Sequence, residues 1–124
     1  MDFTELSKIA KKLAYPRALS ESAEAGSVAA ALLTDKGNVY TGVCIDTPCS
    51  MGFCAEHAAA AAMVAAGESR IVKLVAWKEA EGPVPPCGRC RELLYQLNHE
   101  NLACEVLLPG GVKTLDQLLP DRWN

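Results

Sequence analysis

Cys54-Ala55-Glu56 and Pro86-Cys87-Gly88-Arg89-Cys90 constrain this chain more than any other stretch. A Cys-x2-Cys pair offers two sulfurs to one tetrahedral ion, and a distant third cysteine completes a set of three thiolate ligands. The chain must therefore bring two segments that are far apart in sequence to a single point. Three protein ligands with one open position is the pattern of a catalytic metal site, whereas a structural site closes with a fourth. Cys44, Cys49, His57 and Cys104 are the candidates for such a fourth ligand. A redox role for Cys87 and Cys90 is the remaining reading of the pair.

Six cysteines in a small secreted chain would read as disulfides. Here the N-terminus carries Asp2, Glu5 and three lysines without a signal-peptide core, and half of the cysteines sit in the two motifs. Thiolate–metal chemistry in a cytoplasmic protein is the expectation. No run of 18 apolar residues exists, so no membrane span is expected. The formal charge of -3, with no basic cluster, disfavours a nucleic-acid partner and leaves a small-molecule substrate.

The flanking pattern predicts how the motifs are carried. Phe3, Leu6, Ile9, Ala10 and Leu13 recur at helical spacing over 3–14, and Pro16 ends that helix. Segment 17–26 is small and polar and reads as a connection. Ser27–Thr34 and Val39–Ile45, joined by Asp35-Lys36-Gly37-Asn38, read as a hairpin. Residues 55–66 are nearly all alanine or other apolar types, which predicts a helix buried on every side, closed by Gly67. Ile71–Trp77 reads as a strand, 78–86 as a loop, Gly88–Leu97 as a helix and Leu102–Leu108 as a strand. Pro109-Gly110-Gly111 turns the chain and Leu115–Leu119 forms a short helix. The order α-β-β-α-β-α-β predicts one α/β domain over 1–124, three layers deep with a mixed sheet.

Both motifs then fall at helix starts. Three thiolates outweigh a divalent ion by one charge, and two helix N-termini aimed at them would offset it. His57, Arg89 and Arg91 are neighbours able to do the same. Glu56, two residues beyond Cys54, can face the same cavity without binding the ion and can carry protons there. A carboxylate in a first helical turn is also favoured by the dipole alone.

Cys-Ala-Glu followed by Pro-Cys-Gly-Arg-Cys-Arg resembles the zinc-dependent cytidine deaminase superfamily. The likeness is to its small three-cysteine branch, which includes free-nucleoside cytidine deaminases and blasticidin S deaminase. It extends through 27–45 with Thr41-Gly42-Val43, the alanine-rich helix and Leu118-Leu119-Pro120. The resemblance implies a three-layer α/β/α fold on a mixed five-stranded sheet. It implies zinc on Cys54, Cys87 and Cys90, and proton transfer by Glu56. The Ala55 and Cys87 backbones would contact the pyrimidine edge, and ammonia would leave. Small members are homotetramers, with a homodimer as the alternative here, and their pockets borrow residues from neighbouring chains.

The substrate end departs from that pattern. Ordinary cytidine deaminases resemble Asn-x-Glu-Asn where this chain has Cys44-Ile45-Asp46-Thr47. A thiol is a weak donor and cannot mimic an amide, and Asp46 is one methylene shorter than Glu. Gly26 stands where a pocket phenylalanine is usual. Gly26, Cys44, Asp46, Thr47, Phe53 and Ala55 are the expected pocket residues, with Trp123 as a lid or a subunit contact. The expected reaction is hydrolytic deamination of a free cytosine-like nucleoside. A blasticidin S-like or other aminoheterocycle substrate is the alternative. A zinc-stabilised structural or nucleic-acid-binding module is the reading from another class.

Overall fold

A computed structural model describes residues 1–124. The first helix, α1 (Phe3–Leu13), starts on a capping box: Asp2 accepts from the Glu5 N–H, and Glu5 accepts from the Asp2 N–H. Leu6 and Ala10, one turn apart, bury its inner face against Ala31, Leu33 and Val75. β1 (Arg17–Ala18) and β2 (Glu24–Thr34) follow, so the segment expected as a connection holds a short strand and the first residues of a long one. The polar composition of 17–24 hid this pairing. Gly26, with φ +90°, sits where the β2–β3 register shifts between Ala25 and Ala29.

β2 is the axis of the sheet. It pairs antiparallel with β3 (Val39–Asp46) on one edge and with β4 (Ile71–Lys78) on the other. Its side chains alternate between layers: Ala30 and Leu32 face one core, and Ala31 and Leu33 the other. β4 runs parallel to β6 (Glu105–Leu108), which pairs antiparallel with β7 (Gly111–Thr114). The path β3-β2-β4-β6-β7 is the mixed five-stranded sheet. β1 on β2 and β5 (Gly82–Val84) on β4 extend it to seven strands. Helix α1 covers one face. The other face carries α2 (Ala55–Ala65), α3 (Gly88–Leu97) and the short α4 (Leu115–Leu118), packed through Leu32, Met63, Leu74, Leu94 and Leu115. The three layers are those expected.

The segment 78–86, expected as a loop, carries β5, which pairs with β4, and two further local expectations fail for identifiable reasons. The strand expected over 102–108 begins only at Glu105, because His99–Ala103 forms a 3-10 turn capped by the Asn98 side chain. That turn holds Asn101, fully buried, whose Oδ1 accepts from the Ile71 N–H at 2.7 Å while Nδ2 donates to the Leu94 and Ser69 carbonyls. One amide thus ties the start of β4 to α3, a use that outweighs the apolar run around it. Helix α2, expected to be buried all round, buries Ala55, Glu56, Ala59, Ala60 and Met63 but leaves Val64 47% exposed.

The buried face of α2 lies very close to β3. A Cβ added at Gly42 would come within 2.4 Å of the Ala59 nitrogen, so helix backbone and strand backbone are in direct contact there. The run of alanines serves the same end, because short side chains let the helix N-terminus settle against the sheet.

Candidate active site

Cys54 is the N-cap of α2 and Cys87 the N-cap of α3, with Cys90 in the first turn of α3. The Sγ atoms of Cys54 and Cys87 are 3.6 Å apart, and those of Cys87 and Cys90 are 3.5 Å apart. Sulfurs at about 2.3 Å from a tetrahedral zinc would be separated by roughly 3.8 Å. The three cysteines therefore fit a zinc ion with little rearrangement. Cys44, Cys49, His57 and Cys104 do not join the cluster, which holds three donors. Three donors without a fourth is the open, catalytic form of such a site. All six cysteines are free thiols.

The donor chemistry agrees with the geometry. Burial raises the Cys54 and Cys90 thiols above their ordinary range, and neighbouring negative groups add to it. Burial also raises Cys87, but the Cys90 N–H, the Cys90 and Cys54 side chains and the Arg89 N–H outweigh it and hold Cys87 below the usual thiol range. This is the helix N-terminus acting on an N-cap sulfur. Three crowded thiols cannot all ionise unaided, and a divalent cation removes that conflict. Cys104, held by burial at about 12, is an inert core thiol.

Glu56 follows in the first turn of α2. It is 5% exposed and lines the same cavity as Cys54 and Cys87. Burial pushes its carboxyl above the usual carboxylate range, opposed in part by its own backbone N–H. His57 turns to the other side of the cluster, with Nδ1 3.2 Å from Cys90 Sγ. Burial first, and the Arg89 charge second, lower its pKa, so the imidazole is neutral at neutral pH. Arg89 lines the cavity at its exposed rim. Arg91 goes elsewhere: its Nε donates to the Pro86 carbonyl and its Nη1 to the Leu118 carbonyl. It clamps the residue before Cys87 to the end of α4, and its hydrogen bonds do not reach the sulfurs.

The cavity measures about 480 Å³. Cys44, Asp46, Thr47, Phe53 and Ala55 line it together with Cys54, Glu56 and Cys87. Gly26 does not. It is buried against Tyr15 and Arg17, and a Cβ there would lie 2.4 Å from the Tyr15 carbonyl. The room expected from its missing side chain is filled by Arg17. Trp123 also lies outside this cavity. Its backbone N–H donates to Glu92, while Tyr95 O–H and Gln96 Nε2 donate to Asn124, so the tail is pinned along α3 with Trp123 84% exposed. Ser27, Val28, Val84 and Pro85 are also among the walls and were not legible as site residues. Only Val84 and Pro85 had a signal, their position just ahead of the Pro86-Cys87 motif.

Phe53 and Arg89 also border a second, apolar groove of about 560 Å³ between α2 and α3, lined by His57, Val64, Leu93 and Leu97 among others. No helix is long and apolar enough to cross a membrane.

Residues 4–106 match the family model described as the cytidine and deoxycytidylate deaminase zinc-binding region. The chain is 34% identical over 101 residues to a cytidine deaminase of Sporosarcina psychrophila, covering 78% of this chain and 74% of that protein. It superposes on the crystal structure of a cytidine deaminase from Mycobacterium tuberculosis with a TM-score of 0.83 at 29% identity, covering 100% of this chain and 98% of that one. The corresponding values for a cytidine deaminase from Mycobacterium leprae are 0.82 and 29%, with coverage of 98% and 99%.

Proposed function

Because the chain belongs to the cytidine and deoxycytidylate deaminase family, we propose that it hydrolyses the exocyclic amine of a free cytosine nucleoside, cytidine or deoxycytidine, and releases ammonia. The observation that carries this reading is the burial of Glu56 beside three convergent sulfurs in one open cavity.

Zinc, held by Cys54, Cys87 and Cys90, supplies Lewis-acid activation of the water consumed in the reaction. The chain's own residues do the rest. Cys54 and Cys87 stand at the N-cap positions of α2 and α3, where the positive ends of the two helix dipoles would offset thiolate charge. Glu56 would take a proton from the attacking water and deliver it to the pyrimidine ring nitrogen, then take the second proton of that same oxygen and pass it to the departing amine. Its raised pKa suits both halves of that task, since the carboxyl must give the proton up as readily as it takes it. The Ala55 and Cys87 backbones would face the pyrimidine edge and Phe53 would wall the ring, a reading supported by their shared place in the cavity lining. A modified cytosine is the second reading, favoured by the thiol that Cys44 places in the pocket wall.

The active form is a homotetramer in which other copies cover the apolar α2–α3 groove, with Trp123 of one chain closing a neighbour's cavity. Support comes from the exposed Val64 and from an indole projecting from a pinned tail. A cytoplasmic setting suits three thiolates that must stay reduced.

The deciding experiment is ammonia release by the zinc-loaded protein from cytidine, deoxycytidine and a panel of other aminopyrimidines and aminopurines. Glu56→Gln is expected to keep its zinc and lose at least about 100-fold in kcat. Turnover that survives Glu56→Gln in zinc-replete protein would remove Glu56 from the proton path.

A further inference from the structure

On the face of the sheet away from the three sulfurs, α1, β4 and β6 leave a groove of about 400 Å³ between them. Phe3, Trp77 and Leu107 form its apolar walls, and Ser7, Lys8 and Lys11 bring one polar edge from α1. Lys11 stands three residues beyond Lys8 and four beyond Ser7, so the three share one side of the helix. Lys8 and Lys11 are exposed, and neither joins the chain's two ion pairs, Lys78 with Glu81 and Arg122 with Asp116. No acidic residue lines the groove. Two like charges therefore stand there uncompensated, in a chain whose formal charge is -3. Lys11 Nζ lies 5.9 Å from the Trp77 ring centroid, at the outer limit of about 6 Å for a cation–π contact. The Ser7 hydroxyl is buried without a hydrogen-bond partner, a state that folded proteins rarely tolerate. Apolar walls with a few convergent polar groups, in a cavity of this size, are the make-up of a small-molecule site.

We infer that this groove binds a mononucleotide, with its base stacked on Trp77 and its phosphate on Lys8 and Lys11. Two lysines and no acid call for an anion. A phosphate has oxygens enough to accept from both ammonium groups and from the Ser7 hydroxyl. An inorganic ion would leave Phe3, Trp77 and Leu107 facing water, whereas a ring carried on the phosphate covers them. Stacking a base on the indole displaces Lys11 from a contact at the limit of its range and frees its charge for the phosphate. Strand β5 backs the indole: Pro83 pairs with Trp77, and a Cβ at Gly82 would lie 3.9 Å from the ring. The groove lies across the sheet from the catalytic cavity and shares no lining residue with it, so the inference is independent of the reaction assigned there.

The probes are AMP, adenosine and inorganic phosphate, titrated by calorimetry into zinc-loaded Glu56→Gln so that none is turned over. AMP should bind about 10- to 100-fold more tightly than adenosine or phosphate, and its affinity should fall with added salt. Saturating cytidine should leave AMP binding unchanged, because the two cavities share no residue. Replacing both lysines, Lys8→Gln with Lys11→Gln, should cost AMP roughly 10-fold or more and leave adenosine as it was. Trp77→Leu should weaken AMP and adenosine alike and spare phosphate. Should Trp77→Leu fail to fold, the exposed lysine pair still decides. Phosphate that binds as tightly as AMP would reduce the groove to an adventitious anion site and overturn the proposal. AMP displaced by cytidine would place the nucleotide in the catalytic cavity and overturn it as well. An AMP affinity that falls as protein concentration rises would mean that a second copy of the chain covers the groove instead. No AMP binding at millimolar concentration would sink the proposal outright and leave the deaminase reading intact.

Discussion

His57 Nδ1 on α2 lies 3.2 Å from Cys90 Sγ on α3, so the imidazole joins the two ligand-bearing helices beside the contact that Cys54 and Cys87 make at their N-caps. Because burial and Arg89 keep the ring neutral, it can act only by hydrogen bonding and by fixing the angle between the two helix ends. It adds no positive charge. His57→Ala should therefore weaken zinc affinity by about 10- to 100-fold, read by chelator competition. The Glu56 carboxyl should be untouched, so residual activity should return when excess zinc is supplied. An unchanged zinc affinity would leave His57 as packing alone.

The fit between α2 and β3 makes a sharper structural prediction. At Gly42 an added Cβ would meet the Ala59 nitrogen at 2.4 Å and Ala58 Cβ at 2.5 Å. These are helix backbone and a side chain one atom long, neither of which can swing away. Gly42→Ala should push α2 off the sheet, costing roughly 1–3 kcal/mol in urea unfolding and displacing Cys54 from Cys87. Zinc content should fall together with stability. Gly37→Ala, at a turn glycine whose Cβ meets nothing, is the control that should spare zinc.

These two residues also show where the sequence is readable. Thiolate spacing, helix starts and the alternation of Ala30, Ala31, Leu32 and Leu33 between two cores are local or periodic, and each survives into the fold. Glycine is ambiguous in a different way. The sequence records that Gly26 and Gly42 have no side chain, but it does not record what occupies the space. At Gly42 that is the helix carrying the active site, and at Gly26 it is Arg17, far from the expected pocket use. β7 escaped notice because four residues, Gly111-Val112-Lys113-Thr114, pair through backbone alone and bury almost nothing. Asn101 escaped because a buried amide takes its meaning from three partners distant in sequence. The β2–β3 wall was named by comparison with a family pattern, and its hydrogen bonds needed coordinates.

A second buried carboxylate lies at the opposite end of α2 and should govern acid stability. Glu68 accepts from the Tyr40 hydroxyl at 2.6 Å and from Asn38 Nδ2 at 2.9 Å, tying the β2–β3 hairpin to the end of α2. Tyr40 above all holds the Glu68 carboxyl below its ordinary value, and the same bond raises the Tyr40 hydroxyl. A depressed folded pKa stabilises the protein above the unfolded value and loses that contribution as pH falls through the folded one. The Tm difference between the protein and Glu68→Gln should be constant above about pH 5 and should shrink below about pH 4. A difference that widened in acid would reverse the assignment.

The apolar groove beside α2 carries the last prediction, because it connects assembly to activity. Val64 is 47% exposed and, with Leu93 and Leu97, lines a groove of about 560 Å³ that shares Phe53 and Arg89 with the catalytic cavity. A surface of alanine, valine and leucine facing water gains from burial, and a second copy of the chain offers the same kind of surface. If copies cover it, a carboxylate there would have to be buried without a partner, at a cost of at least about 2 kcal/mol. Val64→Asp should then convert the assembled protein to a smaller species in sedimentation. The zinc ligands belong to one chain, so zinc content should hold. Activity should nevertheless fall, because Phe53 and Arg89 lose the neighbour that fixes the rim of the cavity. A variant with unchanged mass and unchanged kcat/KM would show that the groove faces solvent in the working enzyme and that the site is complete within a single chain.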